Sequence, residues 1–285
     1  VEGGRVGIGL WRSPGCTVAG SVVRGSRVGV FLEGSGGARV VNNSLAGCGL
    51  YVRRSPGCTV ANNTVNGRPL LYLEGASGLR VGGGYGQVVL VGCSNVTVEG
   101  VNASRTTVAV LVSESSNVSV VGAELRENLV GVDVWASANV SLRRCRIVGG
   151  EVGVRAAGSA GVRLEGCSLE GPRYGAYADS SSLVALLNST LRGCTEAAAL
   201  LASARGSIVQ GCVFAYNTRG LVLRRSEGVR VAGNAFLGNG YAVVLESSSG
   251  NSFEGNDFAA NTEDVILESA GPNRWLGNFW GELWG

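Results

Sequence analysis

Apolar residues recur along this chain in a strand-like alternation that returns about every 22 residues. The second and fourth residues of each repeated segment are apolar and the residue between them varies, which is typical of a strand with one buried face. The spacing between segments is 18 to 22 residues at first and then 22, apart from one step of 23. The segments begin at Gly7, Gly29, Gly49, Leu70, Val88, Ala109, Gly131, Gly153, Gly175, Ala197, Gly220, Ala242 and Asp264.

A serine follows eleven of the thirteen segments, as suits a tight turn, and a second apolar column comes after it. Strands that return at one phase stack in parallel, about 4.8 Å apart, so twelve steps predict a rod of about 58 Å. The sequence predicts an all-β fold: a right-handed single-stranded parallel β-helix (solenoid) of about 12 coils of ~22 residues, as one domain over residues 1–285. The second column reads Val18, Val40, Val60, Val81, Val98, Val120, Leu142, Leu164, Leu186, Ile208, Val231, Phe253 and Trp275.

A third column, after the second strand, carries asparagines that we expect to form an inward hydrogen-bonded ladder. Cysteines take this position in the middle of the chain. Cys145 and Cys167 fall on adjacent coils, and buried thiols, an inter-coil disulfide and a metal site all remain open for them. The asparagines are Asn43, Asn63, Asn234, Asn256 and Asn278, and the cysteines are Cys145, Cys167 and Cys212.

Three segments of this pattern, GLYVRRSPGCTVANNTV, GLVLRRSEGVRVAGNAFLGN and AVVLESSSGNSFEGNDFAANT, resemble the parallel β-helix repeat family, also called the carbohydrate-binding and sugar-hydrolase repeat. The segment NRWLGNFWG, which begins at Asn273, is similar to the closing segment of the NosD-like members. The resemblance covers essentially the whole chain. It implies the fold, and it implies three kinds of function: cleavage or epimerisation of polysaccharide, delivery of copper, or a structural role.

Candidate chemistry is sparse. Histidine, lysine and methionine are absent, and the four aspartates lie on different faces. Glycosidases need two facing carboxylates, and only Glu246 and Glu268 share a column on adjacent coils. Copper(I) sites use Cys, Met or His, of which only cysteine is present. We therefore expect no enzyme activity, no catalytic residue, no metal and no cofactor, with copper handling as the third hypothesis.

Two sets of residues outside the inward columns favour contact with other molecules. The outward column of the first strand is apolar on five coils and breaks at Asp133 and Arg155. Such outward runs mark contact surfaces, and lateral rod packing, sugar stacking or an internal cover all remain open. Residues 270–285 form an aromatic cap or a docking segment. The predicted interface residues are Phe31, Tyr51, Tyr72, Leu90, Leu111, Trp275, Phe279, Trp280 and Trp284.

Seven N-x-S/T sequons favour an exported protein. Together with the absence of Lys, Met and His, they favour a thermophilic, archaeal glycoprotein. No apolar run is long enough to span a membrane, and the arginine pairs are too scattered for a nucleic-acid track. The candidate glycosylation sites are Asn42, Asn62, Asn95, Asn102, Asn117, Asn139 and Asn188.

The first hypothesis is therefore a structural β-solenoid, outside the cell or on its surface, in a fibre, filament, surface layer or adhesin. Its expected partners are copies of itself, head-to-tail or lateral, or other surface proteins, with no nucleic acid. The alternative is a module that binds or cleaves polysaccharide.

Overall fold

The structure is a computed structural model that describes residues 1–281. Trp284 lies outside the described residues. The described chain contains strands and no helix, and its coils form a right-handed parallel β-solenoid of about 13 turns, which confirms the predicted fold class. Each full coil has three strands, here called faces 1, 2 and 3. The coils form two stacks: the N-terminal stack, residues 1–66, and the main stack, residues 68–281.

The N-terminal stack has three coils. Its face 1 strands are β1 (Val6–Trp11), β4 (Val28–Glu33) and β7 (Leu50–Arg53). Its face 2 strands are β2 (Thr17–Ala19), β5 (Arg39–Val41) and β8 (Thr59–Ala61). Its face 3 strands are β3 (Val22–Arg24), β6 (Ser44–Ala46) and β9 (Thr64–Val65).

The main stack has ten coils, and its strands pair in parallel from one coil to the next. Its face 1 strands are β10 (Arg68–Glu74), β12 (Gln87–Val91), β15 (Val108–Ser113), β18 (Val130–Trp135), β21 (Val152–Ala157), β24 (Tyr174–Asp179), β27 (Ala197–Ala202), β30 (Arg219–Arg224), β33 (Tyr241–Glu246) and β36 (Glu263–Glu268). Its face 2 strands are β11 (Arg80–Val81), β13 (Ser94–Glu99), β16 (Ser116–Val121), β19 (Ala138–Arg143), β22 (Ala160–Glu165), β25 (Ala185–Leu187), β28 (Ile208–Gln210), β31 (Arg230–Ala232), β34 (Ser252–Glu254) and β37 (Arg274–Leu276). Its face 3 strands are β14 (Asn102–Ser104), β17 (Glu124–Arg126), β20 (Arg146–Val148), β23 (Ser168–Glu170), β26 (Thr190–Arg192), β29 (Val213–Ala215), β32 (Ala235–Leu237), β35 (Asp257–Ala259) and β38 (Phe279–Gly281).

The chain reverses between the two stacks, at Asn66 and Gly67. Both residues have positive φ, 51° and 77°, as a two-residue type I′ hairpin loop requires. The hairpin pairs β9 with β10 antiparallel, so the face 3 sheet of the N-terminal stack continues into the face 1 sheet of the main stack, and β10 does not pair with β7. The prediction of one continuous rod is therefore wrong, because an Asn-Gly turn inside the repeat folds the first three coils back.

The folded-back coils lie beside the main stack in reversed order. The third coil contacts the early main-stack coils, since the Gln87 amide is hydrogen-bonded to the backbone of Leu50 in both directions. The second coil lies further along, where Arg27 pairs with Glu151, and where Phe31 and Val152 line the same cleft. The free edge of β1 consequently faces the same way as the free edge of β36.

Predicted column positions shift by one residue in three strands, β12, β27 and β28. The step from Leu71 to its partner Val88 is one residue shorter than predicted, and Ala176 pairs with Ala199 and not with Ala198. A one-residue slip turns every side chain to the other face. Leu90 consequently points into the core and Val89 outward, while Leu201, and not Leu200, is inward. On face 2 the inward residue is Val209, and Ile208 is 39% exposed.

Polar ladders line the turns as predicted. The Nδ2 atoms of Asn43 and Asn234 donate to Oδ1 of Asn63 and Asn256, each at 2.9 Å. Asn256 in turn donates to Asn278 at 2.9 Å. These buried amides satisfy one another and the backbone carbonyls of the preceding coils.

Aromatic rings close the end of the described chain. Phe214, Phe236, Phe258 and Trp280 stack on face 3, with successive centroids 4.8, 4.9 and 4.4 Å apart. On face 2 Trp275 stacks on Phe253 at 4.0 Å. The two tryptophans thus form the last inward rungs, and Trp280 remains 49% exposed.

Candidate functional site

The outer face 1 surfaces of the two stacks enclose a cleft of about 250 Å³, called here the inter-stack cleft. Outward side chains of β4 and β7 form one wall, and β15, β18 and β21 form the other. Phe31 and Tyr51 stack with their centroids 5.9 Å apart and their rings 14° from parallel. The other lining residues are Arg27, Val28, Arg53, Thr107, Val108, Leu129, Val130, Glu151, Val152 and Arg155.

A buried polar network joins the stacks beside the cleft. The Tyr51 hydroxyl donates to Oδ2 of Asp133 at 2.6 Å. Arg155 donates from Nε to Oδ1 of Asp133 at 2.9 Å, from a terminal nitrogen to Oδ2, and to the Tyr51 oxygen at 2.7 Å. The Asp133 side chain is fully buried, so this two-point pairing supplies the compensation that a buried carboxylate needs.

The pKa shifts in this network favour the hydrogen-bonded arrangement. Burial, followed by the charge of Asp133, raises the pKa of the Tyr51 phenol, so Tyr51 stays a protonated donor. Burial works against the charged form of Arg155, but hydrogen bonding and charge from Asp133 outweigh it and raise the pKa of the guanidinium. The network is consequently a clasp between the stacks, in which the Tyr51 hydroxyl donates and Arg155 stays charged.

A chain of ion pairs leads away from the cleft. Arg27 pairs with Glu151, which also lies 3.8 Å from Arg173. Arg173 lies 3.7 Å from Glu196, which pairs with Arg219. Arg27 and Glu151 also border an open groove of about 480 Å³ beside the inter-stack cleft. This ion pair therefore lies between the inter-stack cleft and a more open groove.

The structure divides the predicted interface residues among different places. The prediction that Leu90 faces outward is wrong, because its side chain lies in the core of the main stack. Tyr51 and Leu111 are buried between the stacks, where Phe31 also packs. Tyr72 is half-buried and donates to Glu74 at 2.7 Å. The early part of the outward column is thus covered within the chain itself.

Of the two glutamates that share a column on adjacent coils, one forms an ion pair with an arginine. Glu246 and Glu268 are opposite each other on adjacent strands. Glu246 pairs with Arg224, and that hydrogen bond lowers the pKa of Glu246. This carboxylate is therefore engaged with an arginine.

The eight cysteines are free thiols. Cys145 and Cys167 occupy adjacent rungs, each directed toward a backbone carbonyl at 3.5 Å. Burial raises the pKa of Cys194 to about 12 and of Cys212 to about 11. Within residues 1–281, no three His, Cys, Asp or Glu side chains lie together as a metal site would need.

All seven sequon asparagines are exposed, and their glycosylation stays a prediction. Three of them form a surface ladder on consecutive coils. Nδ2 of Asn139 donates to Asn117 at 3.2 Å, and Nδ2 of Asn117 donates to Asn95 at 3.3 Å. Glycans on neighbouring rungs of this ladder would compete for space.

The repeat pattern does not predict the inter-stack cleft. In that pattern Asp133 and Arg155 are only breaks in an apolar column. The signal that could have found the cleft was the Asn66-Gly67 pair between two strand segments, which is a strong hairpin signal. A hairpin there predicts that two outward columns face each other.

Solved structures with the same fold include proteins that act on or hold polysaccharide. The A-module of a mannuronan C-5 epimerase from Azotobacter vinelandii matches at 15% identity and a TM-score of 0.56, over 94% of this chain and 80% of that one. The tailspike protein of E. coli bacteriophage HK620, in complex with a pentasaccharide, matches at 14% identity and a TM-score of 0.61. That match covers 92% of this chain and 56% of the tailspike, so the chain spans little more than half of it.

These neighbours contradict the prediction that the chain is not an enzyme. At such low identity the likeness shows the fold alone, and carbohydrate chemistry in this chain is a proposal. No curated protein shows detectable sequence similarity to it. Residues 1–281 include no helix that could cross a membrane.

Two family models match the chain. One is the right-handed beta helix region, over residues 6–169, and the other is the periplasmic copper-binding protein NosD, over residues 93–285. Copper does not fit the donor set described here, because six of the eight thiols are buried in the cores, the exposed Cys16 and half-buried Cys58 belong to no metal-like cluster of the described residues, and histidine and methionine are absent. The NosD model covers more than half of the sequence, and the chain therefore belongs to the NosD family of right-handed β-helix proteins.

Proposed function

We propose that this protein binds a polysaccharide outside the cytoplasm, in the inter-stack cleft. The observation that carries the proposal is the combination of stacked Phe31 and Tyr51 rings with several arginines in one concave site. Sugar rings pack their apolar faces on aromatic side chains and place their polar groups against charged ones. The polysaccharide-directed neighbours support this choice of ligand, and the periplasmic family description supports the location.

The open groove next to the cleft suits a polymer better than a free monosaccharide. A chain with one residue in the cleft would continue past Arg27 and Glu151 into the groove of about 480 Å³. The same site is where chemistry on a bound polysaccharide would take place. Binding and turnover are therefore tested together.

The test is a glycan array with the labelled protein, followed by titration calorimetry with each oligosaccharide that binds. Phe31→Leu should weaken binding about 2- to 10-fold, because it removes an aromatic face. Phe279→Leu, at an exposed ring of the last coil, is the matched control and should bind like the wild type. Products of prolonged incubation are analysed by mass spectrometry and NMR. Absence of binding at millimolar concentrations of every glycan would refute the proposal.

A surface fibre or filament is the second candidate. Its support is the exposed apolar surface of the last described coil, where Phe279 is 63%, Leu267 60% and Leu276 53% exposed. Because the free edges of β1 and β36 face the same way, a simple head-to-tail rod is disfavoured and association through the last coil is favoured. Analytical ultracentrifugation should show concentration-dependent assembly that Phe279→Asp reduces and Tyr216→Asp, at an exposed side position, does not. A monomer at every concentration would exclude it.

A further inference from the structure

Arg53 differs from the other arginines that line the inter-stack cleft. It follows Tyr51 by two residues on β7, so its side chain points to the same outer side of the strand. Its guanidinium carbon lies 5.1 Å from the centroid of the Tyr51 ring and 5.4 Å from that of Trp135. Two aromatic rings from different stacks therefore hold this cation in place.

The positive charge of Arg53 has no carboxylate partner within residues 1–281. Arg27 is paired with Glu151 and Arg155 with Asp133, whereas Arg53 makes no salt bridge to the described residues. Its Nε atom is buried and has no hydrogen-bond partner there. Buried N–H donors are almost always satisfied in folded proteins, so this one suits an acceptor supplied by a ligand.

The remaining lining restricts what that ligand is. Val108, Val130 and Val152 give the cleft an apolar side, and Phe31 gives it an aromatic one. Its volume of about 250 Å³ is below the ~300–1,000 Å³ common for drug-sized ligands, so it has room for about one sugar ring. A single unpaired cation balances one negative charge. A planar guanidinium matches a carboxylate with two parallel hydrogen bonds.

We propose that the inter-stack cleft is a subsite for a uronic acid residue, and that Arg53 binds the carboxylate of that residue. This inference rests on the proposed function, since it names the class of polysaccharide. Tyr51 and Trp135 hold the guanidinium, and the apolar wall faces the sugar ring. A neutral sugar would leave the buried Nε without an acceptor, which gives the site its preference for an acidic polysaccharide.

Calorimetry with matched oligosaccharides tests the inference. The ligands are oligomannuronate and oligogalacturonate of defined length, the same oligosaccharides after reduction of their carboxyl groups, and a sulfated neutral oligosaccharide. The wild type should bind at least one uronate about 10- to 100-fold more tightly than its reduced form, as expected for a charge-assisted hydrogen bond. Arg53→Gln should abolish that preference. Arg53→Lys should retain part of the preference, because lysine keeps the positive charge but cannot donate two parallel hydrogen bonds to a carboxylate.

The matched control is Arg54→Gln, which removes the same charge from the neighbouring residue. Arg54 pairs with Glu33 and, like Arg53, lies near the Trp135 ring, 5.3 Å from its centroid, but it does not line the cleft. The uronate preference should therefore remain. Thermal unfolding of each variant checks that the fold is intact. Three outcomes would overturn the inference and leave the proposed function standing. They are equal binding of reduced and native oligosaccharides, preference for the sulfated oligosaccharide, and a uronate preference that persists in Arg53→Gln. Absence of binding to every saccharide would overturn both.

Discussion

The N-terminal stack and the main stack are built from the same coil but bury their residues in different ways. Strand β1 is half-buried or exposed at every position, whereas β15 and β27 are buried at all six. In a stack of three coils, two are ends, and each end lacks a neighbour on one side. The N-terminal stack compensates by packing its outer face on the main stack. Its stability therefore depends on a surface that an isolated solenoid exposes to water.

The outer face of the main stack shows the same contrast along its length. Where the N-terminal stack covers it, the column includes Asp133 and Arg155, which share the Tyr51 hydroxyl. Beyond that cover the column continues with Tyr177 and is then aliphatic, with Leu200 and Val222 both buried. The polar cluster needs a hydrogen-bonding group from the opposing stack, whereas the aliphatic side chains pack on one another. The difference locates the cleft at the only described meeting of two outer faces.

A charge introduced into the core of each stack should reveal the largest difference in stability between the two stacks. Leu164→Asp buries an unpaired carboxylate in the middle of the main stack and should cost more than about 4–5 kcal/mol, enough to unfold the chain. Leu32→Asp does the same in the N-terminal stack and should unfold only that part. Circular dichroism and limited proteolysis with mass spectrometry measure both. A fragment covering about residues 68–281 should survive in Leu32→Asp, and its loss would show that the stacks fold as one unit.

Removal of the buried carboxylate should have the next largest effect. Asp133→Ala leaves Arg155 without its partner and should cost about 3–5 kcal/mol, nearer the lower value because the Arg155 side chain is 26% exposed. Urea denaturation measures the loss, and hydrogen exchange should show β7 opening first. Asp257→Ala, at an exposed aspartate of the main stack, is the control and should change stability by less than about 0.5 kcal/mol. Equal effects of the two substitutions would contradict the clasp.

Equivalent ladder asparagines provide a smaller, direct comparison of the stacks. Oδ1 of Asn63 accepts from the backbone and side chain of Asn43, and Oδ1 of Asn256 does the same for Asn234. Asn63→Ala and Asn256→Ala should each cost about 1–3 kcal/mol, since each leaves buried polar groups unsatisfied. Urea titration followed by fluorescence compares them. A loss confined to Asn256→Ala would mean that the N-terminal ladder contributes little to stability.

Most of the fold could be predicted because the repeat determines it. An apolar residue at the same phase in every coil, such as Val132 or Leu164, has to point inward, and the structure places both in the core. The one-residue errors at Leu90 and Ile208 arose where the step between coils changes length. Column spacing alone cannot say which side of a strand a residue takes after such a step.

The candidate site could not be predicted from the repeat. It is formed by residues far apart in sequence, such as Tyr51 and Arg155, which meet only because the chain reverses. A repeat describes neighbours on adjacent coils, about 22 residues apart, and is silent on contacts between stacks. The contact between Tyr51 and Arg155 depends on the two-residue turn Asn66-Gly67, which reverses the direction in which the coils stack.

Thiol labelling should give the smallest but most local comparison. Cys48 and Cys212 are both buried, one in each stack, and burial raises the pKa of Cys48 and raises that of Cys212 to about 11. At pH 9 roughly a hundredth of the Cys212 thiols are ionised, and iodoacetamide reacts with the thiolate. Raising the pH from 7 to 9 therefore leaves the labelling of Cys212 in the folded protein slow. Cys16, which is exposed, should label first and serves as the positive control.

The order of labelling at the two buried thiols decides how independent the stacks are. If the N-terminal stack opens by itself, Cys48 gains access to solvent at a lower free energy than Cys212, since local openings expose the least stable units first. Mass spectrometry of a time course should then show Cys48 labelled before Cys212, and Asp133→Ala should accelerate Cys48 alone. Equal rates, accelerated together by that substitution, would mean that the clasp joins two stacks that open as one. The inter-stack cleft would then persist for as long as the fold does.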